Sequence, residues 1–438
     1  MALSYTDAVE RVEKEARRQQ AAFLADSEKC SIFNACDRAV SEPISSPIST
    51  PAFDTSAMDG FALQSVATQG ASPERPVTFE VQGTTTAGDE PHSHSTRNYP
   101  RDGIQPCVEI MTGAPFPVGP DGDRLDCCVP IEDVVLLENK LSSRRYISLS
   151  KPAKWRQHRR LAGGDFSRND RIIGVGERVN PQHIMAMASV GLAEIPVLRK
   201  PRIAIFSTGC ELMSSEAASH RFMIHDANGP YLSAMLKKYG ADVDFRGVVR
   251  DSPIAMENAL LEALGQNKYD VILTSGAVSA GRCDMIPGVI SSIGGRTVFH
   301  KVAVKPGHPV LFSVLPRGGQ GETAFFGLPG NPVAATACLR FIVLPYLRTL
   351  QCQLRERPQS ARVQVPKSSK AALAFRKEAD IFRPAILSPC RQTVQIIEDH
   401  SPGKTKPFLH ANCWAHIPSA VEQVCDGEAV DAYPCDLE

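Results

Sequence analysis

The stretch Lys301–Leu311 reads KVAVKPGHPVL, with a lysine at each end of an apolar run and a Pro-Gly-His-Pro turn behind it. Ammonium groups are rarely buried without a partner, so two of them beside a strand suggest that something anionic is met there. Proline fixes the turn and glycine lets backbone approach a ligand, which makes Pro306, Gly307 and His308 with Lys301 and Lys305 a candidate anion loop. Four further loops have the same character. STGCEL supplies Ser207, Thr208, Gly209 and Glu211, and Asp251 follows the run DVDFRGVVR. SGAVSAG supplies Ser275, Gly276 and Ser279, with Asp284 shortly after it, and LPGNP supplies Pro329, Gly330 and Asn331. Small and hydroxylated residues feeding helix amino termini cradle anions, because backbone N–H groups and the helix dipole both face the ligand. Carboxylates beside such loops suit a divalent metal, and hard oxygen donors favour Mg2+, with Asp251 and Asp284 as the candidate ligands. Asp251 has a competing role as the cap of the helix that follows it.

These loops require a scaffold that delivers them to one place. From Lys200 the chain alternates strand-like and helix-like runs: RIAIF, YLSAMLKKYG, DVDFRGVV, SPIAMENALLEALGQN, YDVILT, a helix around Met285 to Ile293, then TVFHKVAV, VLFSVL and TAFFGL before a long helix from Asn331 to about Leu350. Strands alternating with helices predict a mostly parallel sheet covered on both faces, whose ligands bind at the carboxyl ends of the strands near a topological switch point. Upstream, SYTDAVERVEKEARRQQ predicts an amphipathic helix capped near Ser4 or Thr6, and SEPISSPISTPAF an extended connector. The β-prone runs VTFEVQG and CCVPIEDVVLL lie in the segment that follows, and HSHSTRNYPRDG between them reads as a polar excursion whose two histidines are solvated. RVQVPKSS and TVQIIEDH predict a small β domain after Leu350.

Length and composition narrow the partners. A chain of 438 residues exceeds a single core. Its formal net charge is zero, which points away from nucleic acid or membrane as the main partner. No uncharged apolar run approaches the ~18 residues of a membrane span and the amino terminus is not a signal peptide, so a cytoplasmic protein is expected. The 13 cysteines are scattered without a Cys-x-x-Cys pair and suggest neither a disulfide framework nor a zinc site.

Several segments together resemble one family. STGCEL, SGAVSAG with Asp284, KVAVKPGHP and GLPGNP are similar to the molybdopterin-binding domain of the molybdopterin molybdenumtransferases, the family of bacterial MoeA and the gephyrin E domain. PAFDTSAMDGFAL, EIMTGAPFP and RRLAGGDF resemble the motifs P-x-F-D-x-S-x-M-D-G, M-T-G-A-P and R-x-x-G-x-D of the same family, in the same order. The resemblance implies four domains: a discontinuous first at 1–44 and 161–199, an inserted β-rich second at 45–160, an α/β molybdopterin-binding third at 200–350, and a β-barrel-like fourth at 351–438. It implies a homodimer whose active site joins the third domain of one subunit to the second of the other. It also implies that adenylylated molybdopterin and molybdate are the substrates, that AMP is released with Mg2+, and that a molybdopterin adenylyltransferase is a partner.

Position by position, Asp59, Thr112 and Asp165 match the family's residues outside the third domain, Glu211, Asp251 and Asp284 its acidic group, and Lys301 and Lys305 its lysines. The chain departs from the pattern at Cys210 for aspartate, Ala277 for glycine, His308 for lysine, Ala227 for the serine of D-S-N, and Lys404 and Thr405 where a serine stands in the fourth domain. A second reading is therefore a binding or scaffold paralogue with little turnover. An esterase reading of AVSAG lacks the leading glycine of a nucleophile elbow.

Overall fold

The computed structural model describes residues 2–92, 104–118, 125–138, 144–213, 222–278, 285–318, 321–365, 372–374, 378–397 and 401–436. Its centre is a six-stranded sheet in the order Asp242–Val249, Arg202–Thr208, Val271–Ser275, Gly321–Leu328, Leu311–Arg317 and Arg296–His300. The first four strands run parallel, Leu311–Arg317 runs against them, and Arg296–His300 is again antiparallel to Leu311–Arg317. Alternation along the strands sends Ile203, Ile205, Val271 and Leu273 to one core and Ala204, Phe206 and Ile272 to another, so both faces are buried. The helices Pro253–Gly265 and Ile286–Ser292 cover the second face through Met256, Leu260, Val289 and Ile290. On the first face lie Asn228–Lys238, stopped by Gly240 at φ +90°, and the run Pro332–Leu350.

That run is not one regular helix. Leu339–Val343 forms a π turn between two α-helical pieces. It is long and apolar enough by length and composition to cross a membrane, and it lies inside the core. The helix Tyr5–Ala25, capped by Ser4 through the N–H of Asp7, places Ala8, Val9, Val12 and Ala16 in the same core. The amino-terminal segment is therefore packed on the central unit, and the Tyr346 hydroxyl donates to Gln19 Oε1 at 2.7 Å.

Ser27–Ser31 pairs with Glu194–Leu198 and Ile44–Ser45 with Arg171–Ile173, and both pairs pack with the helix Pro181–Ser189 around their own small core. Between these halves stands a six-stranded sheet, Cys127–Pro130, Gly60–Leu63, Gln105–Ile110, Val77–Thr85, Arg145–Leu149 and Val135–Glu138. The run CCVPIEDVVLL is two strands broken by the 3-10 turn Ile131–Asp133, with Pro130 at the break. After Leu350, the strands Gln359–Val363, Asp380–Leu387, Thr393–Ile396, Cys413–Ile417 and Ala429–Pro434 close into a barrel.

The run TVFHKVAV, expected as one strand, is also two pieces. Arg296–His300 ends at Lys301, whose φ of +73° turns the chain. Val304–Lys305 then pairs with Asp380–Leu387 of the barrel, Val304 opposite Asp380 and Lys305 opposite Ile381.

Candidate active site

The strand order reverses between Arg202–Thr208 and Val271–Ser275, which places a switch point where the Gly209 and Gly276 loops leave the sheet. The two loops touch. A Cβ on Gly276, at φ +104°, would stand 2.3 Å from the Thr208 carbonyl oxygen, so only glycine fits. The Gly276 N–H donates to the Leu328 carbonyl at 2.9 Å, which brings the Pro329-Gly330-Asn331 loop alongside. On the other flank, Asp251 Oδ2 accepts the Cys210 N–H at 3.2 Å. Its Oδ1 is buried with no hydrogen-bond partner among the described residues, as is Thr208 Oγ1. Capping does not account for Asp251. Ser252 is the cap of the helix Pro253–Gly265 and accepts from the N–H of Ala255.

Beneath these loops is a buried polar support. The Ser207 hydroxyl donates to Asp226 Oδ2 at 2.6 Å, and Asp226 Oδ1 accepts the N–H groups of Asn228 at 3.0 Å and Gly229 at 3.1 Å. Asn228 Nδ2 donates to Ser275 Oγ at 2.6 Å and to the Gly330 carbonyl at 2.7 Å. One asparagine thus ties together the loops after two strands. Ser207 and Ser275, read from sequence as ligand contacts, have their hydroxyls engaged in this support. Asp226 and Asn228 were not among the sequence candidates. The signals available were the D-S-N-like segment itself and its place at the start of the helix Asn228–Lys238, where Asp226 satisfies the amides of Asn228 and Gly229.

The lysine loop leaves the same edge, since Arg296–His300 is parallel to the first four strands. His300 Nε2 lies 2.9 Å from the Val278 carbonyl, joining this loop to the Gly276 turn. The Val302 N–H donates to the His308 carbonyl at 2.9 Å, and His308 Nδ1 donates to the Val302 carbonyl at 2.8 Å, while the residue is exposed. Gly307 is pressed on the helix at Cys338, whose Sγ a Cβ would approach to 2.5 Å. Lys305 is exposed and Lys301 half-buried, and neither has a carboxylate partner among the described residues. Glu211 and Cys210 are exposed at the rim. Ser279 and Asp284 lie outside the described residues, as do most of the polar excursion and its His94. Among the described residues, which do not include Asp284, no group of three His, Cys, Asp or Glu side chains converges to hold a metal.

Asp59 and Thr112 meet in the inserted sheet domain, with the Thr112 N–H donating to Asp59 Oδ1 at 2.6 Å. That N–H, with the Thr112 hydroxyl, holds the Asp59 carboxyl below its ordinary value. Both residues are exposed, and so is Asp165, whose N–H donates to the Thr50 carbonyl at 2.9 Å. Nearby, burial pushes the Asp54 carboxyl up, but the Ala162 N–H at 2.7 Å and the Arg159 guanidinium at 2.6 Å outweigh it and bring the carboxyl down.

Comparison with known proteins places the chain in a family. Residues 3–191 match the MoeA N-terminal region (domain I and II), and residues 204–349 match the probable molybdopterin binding domain. The chain is 30% identical over 435 residues to the molybdopterin molybdenumtransferase of Synechococcus elongatus, covering 98% of this chain and 99% of that one. With the molybdopterin molybdenumtransferase of Haemophilus influenzae it shares 32% identity over 336 residues, 76% of each chain. The solved structure of the molybdopterin biosynthesis MoeA protein from Pyrococcus horikosii has a TM-score of 0.76 and 26% identity, covering 96% of this chain and 98% of that chain. Likeness that runs through both matched regions and nearly the whole length of a relative has one meaning: the chain belongs to the molybdopterin molybdenumtransferase (MoeA) family.

Proposed function

We propose that this protein inserts molybdenum into molybdopterin in molybdenum cofactor biosynthesis, taking adenylylated molybdopterin and molybdate and releasing AMP. The observation that carries the reading is the unpartnered Asp251 Oδ1 beside the switch point, near a glycine cradle and a loop whose two lysines have no carboxylate partner among the described residues. Cleaving a phosphoanhydride requires charge neutralisation and positioning more than a covalent nucleophile. Lys301 and Lys305 supply permanent positive charge for a phosphoryl group or for the molybdate dianion, and the backbone around Gly276 and Gly330 lets the ligand lie close to the sheet edge. Thr208 Oγ1 is a further donor for a ligand oxygen.

Mg2+ fits this donor set in the way it usually binds, through one or two carboxylates completed by substrate phosphates and water. Asp251 would hold it, with Asp284 as the second carboxylate, and when bound it would neutralise charge on the leaving phosphate. Asp59, Thr112 and Asp165 complete the site from the second subunit of a homodimer in this reading, which also includes a cytoplasmic location and a molybdopterin adenylyltransferase as source of substrate. Measuring AMP release from adenylylated molybdopterin, with and without molybdate and Mg2+, tests it. Release that depends on both supports an insertase. Tight pterin binding without release would point to the scaffold reading, whose ground is the departures at Cys210, Ala227, Ala277, His308, Lys404 and Thr405.

A further inference from the structure

We propose that a cleft between the segment 171–183 and the far ends of two central-domain helices is a second binding site, for a small organic anion carrying a phosphoryl group. The cleft measures about 580 Å3, within the ~300–1,000 Å3 typical of small-molecule sites. It is remote from the switch point by topology. The helix Asn228–Lys238 and the run Pro332–Leu350 both start beside the carboxyl edge of the sheet, and the cleft is lined by Tyr239 and by Cys352 to Leu354, just past their opposite ends.

Its charge is unbalanced. Arg171, Arg178, Lys238 and Arg348 line it with His183, and Glu177 is the single carboxylate among the described lining residues. Arg171 and Lys238 reach Glu177 at 3.4 Å and Asp436 at 3.1 Å, in exposed pairs that contribute little. Arg348 shares Glu356 with the buried Arg340, so one carboxylate serves two guanidiniums. Arg178 forms no ion pair with a carboxylate among the described residues; it donates to the Asp37 carbonyl at 3.2 Å and the Tyr239 carbonyl at 2.6 Å, and lies over the Tyr239 ring at 5.0 Å. Cations gathered without matching carboxylates are costly in a cleft unless an anion joins them.

The donors also converge. The Tyr239 hydroxyl donates to Gln353 Oε1 at 2.8 Å. Burial pushes that hydroxyl up to about 12, against the opposing pull of the Arg348 and Arg178 guanidiniums, so both cations stand close to it. Gln353 Nε2 is left buried with no partner among the described residues. One wall is sealed by backbone contact: Gly176, at φ +76°, leaves only 2.4 Å between a Cβ and the Cys352 carbonyl oxygen. Val175 and Leu354 expose apolar surface at the mouth, at 36% and 88% of their area. A bare inorganic ion has no use for that surface, whereas the organic part of a phosphate ester does.

The test uses the full chain carrying Lys301→Ala and Lys305→Ala, which silences the lysine loop, and reads binding of phenyl phosphate and of inorganic phosphate by calorimetry. One equivalent of phenyl phosphate per chain is expected, bound more tightly than inorganic phosphate. Arg178→Gln should weaken it at least tenfold. Gln353→Glu places a carboxylate among the cations, and it should abolish binding while raising the melting temperature. Should Arg178→Gln fail to fold, the Gln353→Glu chain decides the matter. Absence of saturable phenyl phosphate binding, or binding that survives both substitutions, overturns the site. No turnover is read, so the result is independent of the insertase reading.

Discussion

Gly276 and Ala277 are neighbours in one turn, yet exchanging glycine and alanine at the two positions should move stability in opposite directions. At Gly276 a Cβ would meet the Thr208 carbonyl oxygen at 2.3 Å and Thr208 Oγ1 at 3.0 Å, at φ +104°. The positive φ alone costs an L-residue about 1–2 kcal/mol. Moving a strand end in a packed sheet adds about 1–3 kcal/mol, so Gly276→Ala should cost about 2–5 kcal/mol. Ala277 already sits at φ +52°. Glycine there recovers the left-handed cost of about 1–2 kcal/mol and returns ~0.4–1 kcal/mol to the unfolded chain as entropy. The net gain for Ala277→Gly is about 0–1.6 kcal/mol. Hydrogen exchange of the Val271–Ser275 strand, buried on both faces, reads the opening free energy of the central sheet without interference from the other domains. A loss below about 1 kcal/mol for Gly276→Ala, or any loss for Ala277→Gly, would refute the close approach at the switch point.

The same geometry sets four further outcomes. Asp251→Asn should fold normally, because Ser252 is the helix cap, and should weaken Mg2+ binding at least tenfold in calorimetry with pyrophosphate present; unchanged affinity would remove Asp251 from the metal role. Asn228→Ala leaves Ser275 Oγ and the Gly330 carbonyl without their donor and should cost about 2–4 kcal/mol, read as faster exchange in both loops, and wild-type exchange there would show the support to be dispensable. Mixed Asp59→Asn and Asp251→Asn chains, each inactive alone, should recover part of the AMP release if the site is shared between subunits, whereas a monomer in sedimentation at assay concentration would exclude it. Asp54 titrates below its ordinary value when folded, so its contribution is present above the usual carboxylate range and is lost as pH falls through the lowered folded value. The pairing of Arg159–Arg160 with Thr55–Ser56 should accordingly loosen in acid in the native chain and lose that pH dependence in Asp54→Asn, and equal acid sensitivity of the two would discount the Asp54 contacts.

The parallel sheet and the loops of the candidate site were legible because their signals are local. Gly- and Ser-rich loops directly after β-prone runs mark where ligand-binding backbone leaves a sheet, and the alternation of strand and helix orients those runs in parallel. The Asp226-Ala227-Asn228 support was not legible, since its meaning lies in partners 47 and 102 residues away from Asn228. Its resemblance to the D-S-N motif marks the segment, but nothing local shows which loops it ties together. The strand TVFHKVAV was misread for the complementary reason. Its period-2 pattern continues through Lys301, while the actual break is a backbone turn at a residue type with no preference for positive φ. Pairing then decides the outcome, because Val304 and Lys305 find their hydrogen-bond partners in the barrel strand Asp380–Leu387 and not in the central sheet. The two lysines that first suggested anion chemistry are therefore held by different domains, Lys301 by the end of the central sheet and Lys305 by the carboxyl-terminal barrel. Their separation, and with it the anion that fits between them, depends on how the barrel docks, through Asp380 N–H on the Ala303 carbonyl at 2.9 Å and Phe341 stacked on Phe382 at 3.8 Å. A barrel that looks peripheral in sequence is in this way part of what sets the charge geometry at the switch point.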